Sequence, residues 1–215
     1  MITRRSFMTA AGAAPLLAVA VRTTAAADEA AAARRADLTG LQSITGDAQP
    51  ISAQEREARI AKLQGLLAEH KVGALLVEAG TSLEYFTGIN WWRSERTTAA
   101  IIPAHGQVVV VTPAFEEPSI RETLQVSGEV LPWNEADSPF ALIATALRKS
   151  GVQRGPVAVE STIRFFILDG VRRTSPVYEF ISGDPFVRAC RLIKSPAELA
   201  LLASANHVTI EALRY

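Results

Sequence analysis

The chain has 215 residues, of which 48% are hydrophobic and 20% charged, with Lys+Arg and Asp+Glu balanced at 22 each. This is globular composition and excludes a disordered chain or a coiled coil; the charge balance and the lack of a Lys/Arg stripe exclude a nucleic-acid reader. Cys190 is the only cysteine, which excludes an intramolecular disulfide and a thiolate-rich zinc site, so it is expected to be a small buried hydrophobe.

Residues 1–27 have the order of an export signal: Thr3-Arg4-Arg5-Ser6-Phe7, an Ala- and Gly-rich apolar stretch from Met8 to Val21, then Ala25-Ala26-Ala27 ahead of Asp28. The arginine pair Arg4 and Arg5 followed by Phe7 is similar to the twin-arginine class. Pro15 interrupts an apolar run already short of the roughly 20 residues a membrane span needs. The expectation is a cleaved signal, no stable membrane insertion, and a periplasmic or secreted product. Cleavage removes Arg4, Arg5 and Arg22 and leaves 19 basic against 22 acidic side chains.

Residues 28–50 are Ala-rich and then polar, and are expected to form a linker. Folded chain is predicted from Ser52, where Ser52-Ala-Gln-Glu55 forms a capping box in which the glutamate reaches back to the cap amide. Ile60, Leu63, Leu66 and Leu67 recur at helical spacing, so 53–70 is a predicted amphipathic helix. Then follow a strand at Ala74–Glu78, a helical turn at Ser82–Phe86 closed by Gly88, and a hairpin of strands at Thr97–Ile102 and Gln107–Thr112. Next come a helix at Pro113–Gln125, a strand at Val130–Trp133 and a helix at Pro139–Lys149. A strand at Pro156–Glu160, a helix at Ile163–Arg172 and a strand at Val177–Ile181 complete the series. Strands alternating with helices imply an α/β domain over 51–190, and the hairpin makes its central sheet mixed.

Ser195-Pro196-Ala197-Glu198 supplies an N-cap, a first-turn proline and a capping-box glutamate. Leu199, Leu202, Val208 and Leu213 give that helix an apolar side, and no stop signal follows before Tyr215. The helix from Pro196 is therefore expected to be cut short at Tyr215, the alternative being a free C-terminal helix docked on its own domain.

Motifs that would name a chemistry are missing: there is no GxGxxG, P-loop, HExxH or GxSxG. His70, His105 and His207 lie far apart and are expected to be surface or structural residues. One patch stands out, Gly88-Ile-Asn-Trp-Trp-Arg-Ser-Glu-Arg96, where Trp91, Trp92, Arg93 and Arg96 crowd into a loop. Large aromatics and arginines offer contact area with polar handles, as interfaces and pockets require. The plainer alternative is that the tryptophans cap the core and the charges are solvated; an Arg–Trp cation–π pair is also open.

Ala74-Leu-Leu-Val-Glu-Ala-Gly-Thr-Ser-Leu-Glu-Tyr-Phe-Thr-Gly88 resembles a segment of creatinase-type N-terminal domains. Arg191-Leu-Ile-Lys-Ser-Pro-Ala-Glu-Leu-Ala200 resembles the hinge of the aminopeptidase P, prolidase and creatinase family, which leads into a pita-bread catalytic domain. The resemblance covers about Ser52 to Tyr215 and implies that residues 191–215 are the hinge and the cut-short first helix of the catalytic domain. It implies a mixed central sheet flanked by helices, and a parent protein that hydrolyses Xaa-Pro bonds with two divalent metal ions (Mn, Co or Zn). The family's ligands, two Asp, one His and two Glu, would lie beyond Tyr215, so no catalytic or metal-binding residue and no bound cofactor is assigned to this chain. It further implies a homodimer in which the N-terminal domain reaches over a neighbouring active site. The Trp91–Arg96 loop is the candidate for that role, with Arg93 or Arg96 taking the carboxylate of a proline-containing peptide. A standalone periplasmic binding or interaction module with the same fold is the alternative.

Overall fold

The computed structural model describes residues 42–214. The proposed signal and most of the proposed linker lie outside the described residues; 42–50 is exposed chain with one turn at Gly46–Asp47. The chain divides into two units, Met1–Gly46 and Asp47–Tyr215. The second carries every helix and strand among the described residues.

Helix α1 spans Ala53–Glu69 and starts as expected, with the Ser52 hydroxyl accepting the Glu55 N–H at 3.1 Å. Its apolar residues Ile60, Leu63 and Leu67 are buried. Strand β1 (Ala74–Glu78) is buried at all five positions, as its unbroken apolar run requires for a strand covered on both faces. Helix α2 (Thr81–Thr87) ends on Gly88, whose φ of 84° is the left-handed cap conformation that glycine adopts without strain. Strands β2 (Ala99–Pro103) and β3 (Val108–Pro113) form the antiparallel hairpin.

The helix expected over Pro113–Gln125 is shorter: α3 spans Glu117–Thr123. Pro113 belongs to β3, and the Ala114 N–H still donates to the Trp133 carbonyl at 2.8 Å, so strand pairing outlasts the proline. Then come β4 (Gly128–Trp133), α4 (Pro139–Lys149), β5 (Gly155–Val159), α5 (Phe165–Thr174) and β6 (Tyr178–Ser182). Spacing predicts no element over 182–190, but α6 occupies Asp184–Arg191 and takes in the first residue of the expected hinge. It has eight residues, opened by a proline in the first turn and buried through Phe186, Val187 and Cys190. Helix α7 spans Pro196–Arg214.

The six strands form one sheet in the order β4-β3-β2-β1-β5-β6. β2 runs antiparallel to both β1 and β3, and the other pairings are parallel. The mixed sheet is as expected from the hairpin. One core packs α1, α2, α3 and α6 against one face through Leu63, Leu67, Phe86, Ile120 and Phe186; the other packs α4 and α5 through Ile143, Leu147, Ile167 and Val171. The carboxyl ends of β1, β3, β4, β5 and β6 therefore share one edge of the sheet with the amino end of β2. On that edge lie Glu78, the segment 89–98, Ala114–Glu116, Asn134–Glu135 and Glu160–Arg164.

Candidate functional site

In open α/β sheets, ligand sites favour the crevice at the carboxyl ends of the strands, where the connections turn to opposite sides. Here that point lies at β1, which has β2 on one side and β5 on the other. Glu78, the last residue of β1, points to the α4–α5 side, and its side chain is fully buried. Burial of a carboxylate is costly unless it is paired and hydrogen-bonded. Arg164, just ahead of α5, supplies most of that pairing: its Nε and Nη2 each lie 2.5 Å from Glu78 Oε1, and its backbone N–H donates to Oε2 at 2.9 Å. Arg93 Nε lies 3.7 Å from Oε2 and donates to the Ala79 carbonyl at 3.1 Å.

The Trp91–Arg96 segment lies over this pair. Arg164 Nη1 donates to the Ser94 carbonyl and Nη2 to the Arg96 carbonyl at 3.1 Å. On the other flank, Trp91 Nε1 donates to Glu116 Oε2 at 3.1 Å, an atom that also accepts from the hydroxyls of Thr98 and Thr112. The indole of Trp133 donates to the Thr97 carbonyl at 3.0 Å. The two tryptophans thus part company: Trp91 packs half-buried on the core, whereas Trp92 is 86% exposed. Arg93 and Arg96 both sit in ion pairs, Arg96 with Glu135 at 2.6 Å and with Glu95. The Glu135 hydrogen bond holds the Arg96 guanidinium more firmly protonated than usual. The arginine–aromatic stacking falls on phenylalanine and tyrosine: Arg96 over Phe115 at 5.2 Å, Arg164 over Phe166 at 4.8 Å and Arg59 over Tyr85 at 4.1 Å. Phe115, Phe165 and Phe166 join Trp92 among the exposed large apolar side chains.

A second polar cluster fixes the start of α7. Glu198 Oε2 accepts the Ser195 N–H at 2.8 Å and the Ser195 hydroxyl accepts the Glu198 N–H at 3.2 Å, completing the box expected for α7. The same hydroxyl donates to Glu55 Oε1 at 2.6 Å, while Arg59 bridges Glu55 at 3.0 Å and Glu198 at 3.3 Å. Glu55 therefore turns away from the Ser52 amide, to which its own box would send it, and joins the cap of α7. Arg56 and Arg59 are buried and donate to the Glu84 and Tyr85 carbonyls at the end of α2. Periodicity missed both, because a buried arginine on an apolar helix face has no signal in spacing. The same holds for Arg164 and Glu116, whose partners are distant in sequence; Glu78 closing an apolar strand is the single hint that a counter-charge is needed.

These arrangements tie distant segments of the chain to one another. Ser82 donates to the buried Glu160 carboxylate, but it lies inside the fold, and Arg191 Nη1 stands 3.4 Å from its oxygen. Cys190 is buried, which pushes its thiol pKa up and keeps it a hydrophobe as expected. Among the described residues no group of three or more His, Cys, Asp or Glu is placed to hold a metal ion, so a dinuclear centre does not fit this set. No helix among them is long and apolar enough to cross a membrane.

The fold, a mixed six-stranded sheet between two helical layers, matches creatinase N-terminal-like folds. The profile of the Creatinase/Prolidase N-terminal domain matches residues 59–193, and the chain belongs to that family. An uncharacterized peptidase of Schizosaccharomyces pombe is 29% identical over 187 residues, covering 80% of this chain and 40% of that protein. A probable dipeptidase PepE of Mycobacterium tuberculosis is 24% identical over 150 residues, covering 69% and 39%. Among solved structures, dipeptidase PepE from Mycobacterium ulcerans superposes with a TM-score of 0.62 at 24% identity over 70% of this chain and 40% of its own. The N-terminal domain of Xaa-Pro dipeptidase from Lactobacillus brevis gives 0.56 at 20% identity, covering 61% of this chain and 98% of its own. The chain thus spans about two fifths of the curated relatives it matches.

Proposed function

We propose that this chain is the N-terminal, non-catalytic part of an exported, metal-dependent Xaa-Pro peptidase, and that it supports oligomerisation and substrate access. The observation that carries this reading is the pairing of a family match over residues 59–193 with peptidase relatives of which the chain spans only two fifths. The match ends just ahead of α7, a helix whose Leu199, Leu202 and Leu213 are 56%, 49% and 83% exposed. On this reading those side chains are covered by the remaining part of the protein. The two divalent ions (Mn, Co or Zn) belong to that part as well, because the described residues offer no fitting donor set. The Arg4-Arg5 segment directs the protein to the periplasm or beyond.

The Trp91–Arg96 segment is the contact surface, to a second copy or to the end of a proline-containing peptide. Arg96 suits an exchange of partners, since its present carboxylates, Glu95 and Glu135, are 77% and 68% exposed and solvent screening leaves such surface pairs weak. Replacing Arg93 and Arg96 together with alanine in the longer protein raises KM or weakens the dimer. If both stay unchanged, this role for the segment is wrong. Export is tested separately: Arg4→Lys with Arg5→Lys leaves the precursor in the cytoplasm, and normal export of that variant contradicts the assignment.

A further inference from the structure

We propose that Arg164 is the positioning residue of the Trp91–Arg96 segment, with the buried Glu78 carboxylate as its counter-charge; the inference deepens the reading of that segment as a contact surface and rests on it. Between Gly88 and Ala99 the chain has no helix or strand to satisfy its backbone, so its carbonyls depend on other donors. Arg164 supplies two of them. A single guanidinium spans Glu78 Oε1 on one side and the carbonyls of Ser94 and Arg96 on the other. Its donors are fixed in one plane, so the position of the carboxylate dictates where the two carbonyls sit. Glu78 is itself fixed, because it is fully buried and stands in register with Ala99 of β2. The rigid sheet is thereby carried into the loop through one side chain.

Arg164 is also held at its main chain by Glu78 Oε2, and it is followed directly by Phe165 and Phe166, which are 72% and 41% exposed. The same residue therefore sets Trp92, on the loop, and the phenylalanine pair, on α5, in fixed relation. A lysine at this position would keep the charge, but as a point charge it has no fork to hold two carbonyls and a carboxylate together.

Limited trypsin cleavage at Arg93 and Arg96, read beside amide exchange of β2 and β3, tests this without reference to any ligand. In Arg164→Lys, cleavage at these two sites accelerates about 10- to 100-fold, the range expected for losing hydrogen bonds from a charged donor, while β2 and β3 keep their protection. Removing one partner of a buried pair can unfold a protein, whereas replacing both with apolar residues of similar size is tolerated. The double variant Glu78→Leu with Arg164→Met is therefore the second arm, and it shows the same local loosening over an intact sheet. Unchanged cleavage at Arg93 and Arg96, or acceleration there matched by equally faster exchange in β2 and β3, would overturn the proposal, the latter because it marks a purely structural pair. The reading of the segment as a contact surface fails on a different measurement, unaltered KM and self-association in Trp92→Ala of the longer protein.

Discussion

At the scale of single residues, the positions that matter most are those where the fold leaves a side chain few alternatives. Phe86 of α2 is fully buried in the core beside Tyr85, whose ring meets it edge-on at 4.9 Å. Phe86→Ala is expected to cost about 3–5 kcal/mol in urea unfolding, as Phe-to-Ala truncations in cores do. Gly88 combines a φ of 84° with close crowding: a Cβ at this position would stand 2.8 Å from the side chain of Gln125, which is held by Arg56 at 3.0 Å. Gly88→Ala therefore strains the turn and breaks the Arg56 contact, and is predicted to destabilise by about 1–3 kcal/mol. Cys190 is 3% exposed, and its burial favours the neutral thiol. A thiol reagent such as DTNB should react slowly with the native chain and rapidly after denaturation; equal rates would place the thiol at the surface.

Composition and spacing made this apolar core legible, since Leu63, Leu67, Ile143 and Leu147 announce themselves by period. The polar skeleton stayed hidden because its pairs join distant parts of the chain: Glu78 to Arg164, Trp91 to Glu116, Glu55 to Ser195. Trp91 and Trp92 were indistinguishable as neighbours in a loop, and only the fold buries one indole against Glu116 and exposes the other.

At the scale of elements, strands and helices match the expected ones closely where a turn residue or a cap marks the boundary, as at Ser52, Gly88 and Ser138. They depart where tertiary pairing decides: β3 runs on through Pro113, and the short α6 forms because Phe186, Val187 and Cys190 find cover. The joint between α1 and α7 is the least foreseeable element pairing, because Glu55 leaves the box expected at Ser52 and joins the cap of α7 instead. The Ser195 hydroxyl is the main influence holding the Glu55 carboxyl below its usual range; partial burial works against this and Arg59 adds to it. A lowered folded-state pKa stabilises the ionised form, so the contribution is complete above the ordinary glutamate value of about 4.3 and is lost as pH falls through the lower folded value. Protection of the first turn of α7 should accordingly fade on acidification below the ordinary glutamate range, and Glu55→Gln should show less protection at neutral pH with a flatter acid profile. Ser195→Ala removes both the cap and the Glu55 contact; about 1–2 kcal/mol is expected from cap loss, read as faster exchange at Leu199 and its neighbours.

At the scale of the whole molecule, family membership rests on residues 59–193 and the fold, both of which the Ala74–Gly88 and Arg191–Ala200 segments had pointed to. The loop at the carboxyl edge of the sheet is braced from below by Glu78 and Arg164 and from the side by Glu116, and it presents Trp92 outward. Such bracing suits a surface that meets another body, because ordering the loop beforehand lowers the cost of binding. The most direct measurement is turnover of an Xaa-Pro dipeptide by this 215-residue chain, purified and supplied with Mn, Co or Zn, beside the longer protein under the same conditions. The account predicts hydrolysis by the longer protein and a rate no different from buffer for the chain alone; metal-dependent hydrolysis by the chain alone would contradict it.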